Sequence, residues 1–331
     1  MKTHNRLPGT PLEVSPLCLG SWSLAGGFNW GPQDSKQSIA TIHAALDMGI
    51  NFLDTAPLYG DGLAEQLIGE ALADRQEKET ILATKVSFKE LDKAALVKSC
   101  ETSLRRLKRD CIDLLQLHWP NRDIPFPETI EGLELLKQQG KIRFYGVCNF
   151  GVRDLENWIS AGGQPVTNQI PYSLLWRAIE FEIAPKCMEE QIGILAYSPL
   201  MQGLLSGKFT GPEDVPVERA RTRHFSSKWE HTRHGEPGAE QETFEALESM
   251  KSLCENADCT MTQAALYWLC NQPGMVAPII GPRSPAQLEA SLEFLSLSPP
   301  DSFLEQLDEL TRPLKHSLGS NPDPWESPGR F

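Results

Sequence analysis

The stretch Gly49-Ile50-Asn51-Phe52-Leu53-Asp54-Thr55-Ala56-Pro57-Leu58-Tyr59-Gly60 decides how the rest of the chain is read. Ile50 to Leu53 is a short apolar run that follows a helix exit at Asp47-Met48-Gly49, so it reads as a buried strand whose end delivers Asp54. Pro57 and Gly60 bracket a tight loop that holds Tyr59 above that strand end. An acid and a phenol therefore share one pocket.

Outward from this stretch the same unit recurs. Short apolar runs at 17–20, 51–54, 80–86, 111–118, 142–149, 166–170, 193–198 and 277–281 alternate with helical patterns at 34–48, 62–73, 92–108, 127–140, 151–161, 176–191, 260–271 and 285–296. Strands buried on both faces and alternating with helices make a parallel sheet, and eight units in this length predict closure into an α/β (β/α)8 TIM barrel. No GxGxxG follows an early strand, so the fingerprint of the open dinucleotide-binding sheet is missing. A small hairpin over 7–14, turning at Pro8-Gly9-Thr10-Pro11, precedes the barrel. Residues 1–331 are read as a single barrel domain. A long lid at 207–240 after the seventh strand, rich in Pro, Gly, Arg and His, breaks the rhythm. A last helix starting at Pro299-Pro300 and ending near 311 leads to an extended tail over 319–331, which either folds over the mouth or stays mobile.

The bulk numbers set limits on function. With 44 acidic against 31 basic residues and a net charge of -13, the surface suits neither nucleic acid nor an anionic membrane. The eight cysteines (18, 100, 111, 148, 187, 254, 259 and 270) form no CxxC and no zinc-spaced cluster with histidine, so they read as reduced thiols of a cytoplasmic protein, with no metal site. No apolar stretch approaches a membrane span, and the N-terminus has no export signal.

In such a barrel chemistry sits at the carboxyl ends of the strands. Those ends carry Asp54, Lys85, His118, Asn149, Gln169, Ser198 and the Gly281-Pro282-Arg283 turn. Leu19-Gly20-Ser21-Trp22, Asn51 to Tyr59-Gly60, Ala83-Thr84-Lys85, Leu104-Arg105-Arg106-Leu107, Gln116-Leu117-His118-Trp119-Pro120, Gly140-Lys141-Ile142-Arg143, Tyr197-Ser198-Pro199-Leu200 with Gly203 to Lys208, and Ile280-Gly281 with Arg283 and Gln287 stand in order along the chain. On these motifs nearly the whole sequence resembles the aldo-keto reductase superfamily, including its potassium-channel beta-subunit branch.

The resemblance implies a catalytic set of Asp54, Tyr59, Lys85 and His118, and NADPH/NADP+ as cofactor. Hydride transfer to a carbonyl leaves charge on oxygen that must be hydrogen-bonded and protonated. In this reading Tyr59 gives the proton, Lys85 lowers the phenol's pKa, Asp54 compensates Lys85, and His118 orients the substrate. Cofactor contacts implied by the family fall on Gly20, Ser21, Trp22, Asp54, Cys148, Asn149, Gln169, Tyr197, Ser198, Leu200, Gln202, Gly203, Leu205, Ser206, Lys208, Ile280, Gly281, Arg283 and Gln287. Tyr197 stacks under the nicotinamide, Asn149 and Gln169 hold its carboxamide, and Arg283 clamps the 2'-phosphate at a helix N-terminus. Cys148 stands where the family usually has serine, and Ser291 where it has asparagine. Trp22, Tyr59, Phe88, His118 and Trp119 are expected around the substrate, a small-molecule carbonyl, with Trp30 as a further wall candidate. Charged lid residues are candidates for a phosphorylated or acidic substrate. Two other readings stay open: a cofactor-binding regulatory subunit with little turnover, and a Schiff-base aldolase using Lys85.

Overall fold

Alternation of side chains along each strand explains how the barrel is built. In the computed structural model, which describes residues 4–27, 29–75 and 79–331, a hairpin of β1 (Asn5–Arg6) and β2 (Glu13–Val14) precedes β3 (Cys18–Gly20), β4 (Phe52–Asp54), β5 (Ile81–Val86), β6 (Ile112–Leu117), β7 (Ile142–Cys148), β8 (Thr167–Pro171), β9 (Gly193–Tyr197) and β10 (Met275–Ile280). The last eight are all parallel and close in sequence order, β10 pairing with β3. The expected barrel and hairpin are therefore present, with strand limits shifted by one or two residues.

Inside, Cys18, Phe52, Ile81, Ala83, Leu114, Leu195, Ala277 and Ile279 form one apolar cluster with Leu7, Leu12 and Val14. The hairpin thus plugs the amino-terminal end of the barrel. Two residues further along the same faces the inward positions become Asp54, Lys85 and Gln116, all buried. Intervening residues such as Leu53, Leu82 and Leu115 face outward into the second cluster, which the helices cover. Gly146 is required at this level, because a β-carbon there would stand 2.2 Å from Thr167 Oγ1 and 3.5 Å from Gln116 Cγ.

The first helices, α1 (Ser35–Asp47), α2 (Leu63–Arg75), α3 (Lys93–Leu107), α4 (Phe126–Gln138) and α5 (Val152–Ser160), fall where periodicity places them. In α3 the buried stripe is Leu96, Ser99, Cys100, Ser103, Leu104 and Leu107, and Asp92 caps the start by accepting from Ala95 N.

Three elements differ from expectation. The helix expected over 176–191 is a 3-10 turn, Ala178–Glu180, followed by a short α6 (Ile183–Glu189). Pro185 explains this, since it cannot donate inside a longer helix. A 17-residue α7 (Glu240–Asn256) fills an interval that the sequence reading left unassigned. Its buried face, Thr243, Ala246, Leu247, Met250 and Cys254, carries helical spacing, but its charged residues mask it. After α8 (Met261–Cys270) and α9 (Pro285–Leu292), α10 (Phe303–Leu318) runs on through Pro313, past the end expected near 311. Burial of Leu307, Thr311, Leu314 and Leu318 outweighs the roughly 3 kcal/mol that an internal proline costs.

The lid is irregular as expected, but several of its basic residues serve the fold. Arg223 donates to Glu236 (2.7 Å) and to the carbonyls of Leu318 (2.8 Å) and Asn321 (2.9 Å), while buried His224 bonds Leu175 O (2.9 Å) and Thr222 Oγ1 (3.0 Å). Arg223 thereby anchors the tail, which folds over the mouth of the barrel. Trp176 Nε1 donates to Pro322 O, and fully buried Asp323 binds Arg330 through Nε (2.7 Å) and Nη2 (3.1 Å).

Candidate active site

Strand β4 ends in Asp54, β5 carries Lys85 one residue before its end, and the loop after β4 brings Tyr59 over both. The Lys85 ammonium, 1 % exposed, donates to Asp54 Oδ2 (2.6 Å), Thr55 O (2.9 Å) and Tyr59 Oη (3.1 Å). Its three protons are thereby directed at three oxygens. Asp54 Oδ1 accepts from Gln116 Nε2 (3.1 Å) and Gln169 Nε2 (2.8 Å). With both of its oxygens engaged inside the chain, Asp54 is an electrostatic anchor for Lys85 more than a group facing the ribose.

His118 follows β6 directly, its backbone N–H on Val86 O, and its ring meets Tyr59 edge-on at 5.9 Å. Its Nδ1 is buried without a partner. Burial, aided by the Lys85 charge, holds the imidazole down to about 3, so it is neutral at physiological pH. Burial is the largest single influence and opposes the Lys85 charge, but the Asp54 carboxylate, together with Tyr59, Cys148 and the hydrogen bond to Asp54, outweighs it and holds the ammonium protonated well above the ordinary lysine range. A neutral amine is what Schiff-base chemistry needs, and Lys85 does not offer one. The ion pair therefore weighs against the aldolase reading.

Tyr59 departs from expectation. Burial pushes its phenol up to about 12, and the downward pull of Lys85 only partly offsets this. The cation is where the sequence reading puts it, but desolvation wins.

The sequence-derived set largely converges on this mouth. Trp22 stacks on Tyr59 (6.0 Å, 22°) and meets Trp30 edge-on (5.5 Å, 90°), giving one aromatic wall. Trp119 lies on another side, covered by Phe331 (5.4 Å) and by the Arg330 guanidinium (4.0 Å above the ring). Phe88 is at the rim but 39 % exposed, and its carbonyl accepts from Asn121. Asn149, in a left-handed conformation (φ 61°), uses its amide nitrogen on His118 O (3.0 Å) and accepts from Tyr197 Oη (2.9 Å). Tyr197 lies parallel to Trp325 of the tail, 5.9 Å between centroids. Cys148 is buried, which pushes its thiol up.

Beyond β9 the loop is built for close approach. Ser198, Met201, Gln202, Gly203 and Gly207 all have positive φ, a backbone arrangement that turns successive N–H groups toward one side. Ser206 Oγ bonds Gly203 O, Leu200 is half-buried, and Leu205 packs into the core, as does Ile280 on β10. Lys208 Nζ and Arg219 Nη1 lie 3.5 and 3.7 Å from where a Gly203 β-carbon would stand. Partial burial and then the Arg219 charge lower the Lys208 pKa, and neither cation has a carboxylate partner among the described residues. Gly20 adjoins β10, Ser21 N donates to Asp54 O, and Gly281 O accepts from Ser23. Arg283 sits just before α9, where Gln287 Oε1 accepts its backbone N–H (2.9 Å). Ser291 Oγ bonds back to Gln287 O within the helix.

Paired cations facing a positive-φ loop, together with the buried and unpartnered polar atoms Ser21 Oγ, Gln202 Nε2 and His118 Nδ1, fit a polyanionic ligand with hydrogen-bonding ends. Sequence reasoning missed Gln116, although its alternation with Leu114 marks it as inward-facing. It also missed Trp325, Arg330 and Phe331, for which no local pattern exists, and it read Arg219 only as one of the charged lid residues that are candidates for an acidic substrate. Among the described residues no group of three or more His, Cys, Asp or Glu could hold a metal, and no helix is long and apolar enough to cross a membrane.

Comparison with known proteins agrees with this geometry. Residues 16–312 match the family described as "Aldo/keto reductase family". The chain is 35 % identical over 301 residues to the aldo-keto reductase YhdN of Bacillus subtilis, covering 88 % of each chain. It is 29 % identical over 328 residues to the NADH-specific methylglyoxal reductase of Escherichia coli, covering 92 % of this chain and 97 % of the other. A solved aldo/keto reductase from Klebsiella pneumoniae in complex with NADP and acetate superposes with a TM-score of 0.73 at 29 % identity, over 94 % of this chain and 96 % of the other.

Proposed function

The chain belongs to the aldo/keto reductase family, and from that premise we propose that it reduces an aldehyde or ketone to the alcohol with NADPH, Tyr59 supplying the proton. The observation that carries the proposal is the buried Lys85 ammonium bridging the Asp54 carboxylate and the Tyr59 hydroxyl. A nicotinamide bound along the strand ends supplies the hydride. Lys208 and Arg219 would hold its pyrophosphate, Arg283 the 2'-phosphate, and Tyr197 with Asn149 would border the ring.

Each protein group then has one task. Tyr59, raised to about 12, is fully protonated at neutral pH and has a proton to give. Once the proton leaves, Lys85 lies 3.1 Å from the phenolate and stabilises it in a pocket from which water is excluded. Neutral His118 donates one hydrogen bond toward the carbonyl oxygen and fixes its direction. Asp54 keeps the ammonium in place and balances its charge. The aromatic wall of Trp22 and Trp30 suits an apolar or small carbonyl compound.

NADH is the competing cofactor, because a relative of similar length is NADH-specific by name. Steady-state kinetics with both cofactors and a panel of small carbonyls decides between them. In the same assays Tyr59→Phe should lower kcat by roughly 10²–10⁴, the usual worth of a positioned proton donor, with cofactor affinity unchanged. Near-normal turnover in that variant would remove Tyr59 from the mechanism.

A further inference from the structure

We propose that Gln33 presets Arg283 for the cofactor's 2'-phosphate, which makes the loop from Gly26 to Gln33 an element of cofactor specificity. The proposal rests on the reading that a nicotinamide dinucleotide lies along the strand ends, and adds a positioning residue from a different part of the chain.

The observation is a reciprocal embrace. Gln33 Oε1 accepts from Arg283 Nε (2.9 Å), Gln33 Nε2 donates to the Arg283 carbonyl (3.0 Å), and Pro32 O accepts from Arg283 Nη2 (2.5 Å). Every one of these partners is neutral. Among the described residues no carboxylate pairs with this guanidinium and Nη1 makes no hydrogen bond. Its charge therefore stays available to an anion while its position is fixed. A free arginine loses much rotamer freedom when a ligand orders it, and one already ordered binds that ligand more tightly. A glutamate at 33 could still accept from Arg283 Nε, but it would lose the bond to the Arg283 carbonyl and would cancel the charge. A carboxamide fixes it without discharging it.

The loop is shaped to hold Gln33 there. Gly26 has φ 67°, and a β-carbon on it would meet Gly31 O at 3.0 Å and Gln33 Cβ at 3.2 Å. Gly27 and Gly31 exchange backbone hydrogen bonds (3.1 and 2.7 Å). Beyond Gln33, Asp34 caps α1 by accepting from Gln37 N, and Gln37 Oε1 lies 3.4 Å from Gln33 Nε2. The same loop carries Trp30 to the aromatic wall beside Trp22. One short segment thus serves both ends of the cleft.

A purely structural latch would also join the turn before α9 to the start of α1, and it would affect both cofactors alike. Calorimetric titration separates the two cases. The full chain is titrated with NADP+, NAD+, 2',5'-ADP and ADP as wild type, Gln33→Ala, Gln33→Glu, Arg283→Ala and the Gln33→Ala/Arg283→Ala double variant. Gln33→Ala should weaken NADP+ and 2',5'-ADP about tenfold, the worth of one charge-assisted contact, and NAD+ and ADP by less than about twofold. The nearly isosteric Gln33→Glu, which preserves the fold, should weaken the phosphorylated ligands further. In the Arg283→Ala background, Gln33→Ala should change nothing. Equal weakening of all four ligands overturns the proposal. So does an unchanged Gln33→Ala or Gln33→Glu while Arg283→Ala alone loses NADP+, an outcome that leaves the NADPH reading intact. If Arg283→Ala does not distinguish NADP+ from NAD+, the Arg283 clamp falls and the proposal with it.

Discussion

Lys85 and Asp54 form a buried ion pair, so their separate and joint removal tests how the site is held together. Lys85 is 1 % and Asp54 2 % exposed, and their contact is 2.6 Å. Lys85→Met leaves a carboxylate facing only two amide donors, from Gln116 and Gln169. Asp54→Asn leaves an ammonium facing only neutral oxygens, those of the new carboxamide, Thr55 O and Tyr59 Oη. Breaking such a pair from either side costs about 3–5 kcal/mol, because one charge stays buried without its partner. In the Asp54→Asn/Lys85→Met double variant no charge is stranded, and the loss falls to about 1–3 kcal/mol for hydrogen bonds no longer made. The coupling energy is then at least about 3 kcal/mol. Equilibrium urea unfolding of the four proteins at one pH measures it directly. In thermal melts each single variant should lose roughly 6–10 °C and the double variant clearly less, taking about 2 °C per kcal/mol for a chain of this size. If the double variant lost the sum of the two singles, the pair would not be acting as a buried unit.

Two further outcomes follow from the geometry. Because Tyr59 is raised to about 12, its protonated form is present at all lower pH, so reduction should hold its rate from about pH 6 to 9, and neutral His118 should add no break. The reverse alcohol oxidation requires the deprotonated phenol and should climb with pH, and Lys85→Met, which removes the downward pull on Tyr59, should displace that climb to still higher pH; a midpoint near 7 in the reduction profile would contradict this. Asp323→Ala should free the tail, since this carboxylate accepts from Trp325 N (3.0 Å), Glu326 N (3.3 Å), Arg330 N (3.2 Å) and the Arg330 guanidinium. Faster hydrogen exchange over 319–331 with a KM for the carbonyl raised several-fold is the expected result, and unchanged exchange would show that Asp323 is not the clasp.

How much of this was legible in the sequence depended on whether the signal was local. Each barrel strand announces itself as a short apolar run followed by a polar end, so fold, hairpin and the positions of Asp54, Lys85 and His118 could be read directly. The helix Glu240–Asn256 was missed because its apolar stripe is diluted by charge beside an irregular lid. Pro185 and Pro313 mislead in opposite directions: the first breaks a helix that periodicity extends, the second is overridden by the buried stripe of α10. The tail's course depends on Arg223, Asp323 and Trp176, which meet only in three dimensions. The basic residues of the lid could not be sorted from the sequence either, since Arg223 and His224 support the fold while Arg219 faces the loop after β9.

The pKa of Tyr59 marks where residue identity stops being informative. A lysine beside a phenol predicts a lowered value, and the distance of 3.1 Å supports that prediction. Yet the sign of the net shift depends on how much water both groups have lost, which only the packed structure determines. The same burial bears on the proton's route. Both oxygens of Asp54 are engaged by Lys85, Gln116 and Gln169, the Lys85 ammonium is locked in its charged form, and His118 is neutral. Among these four groups only Tyr59 combines an exchangeable proton with a cation placed to offset part of the cost of its conjugate base. The buried pair is thus better described as a fixed electrostatic support for one phenol than as a relay of protons through four residues.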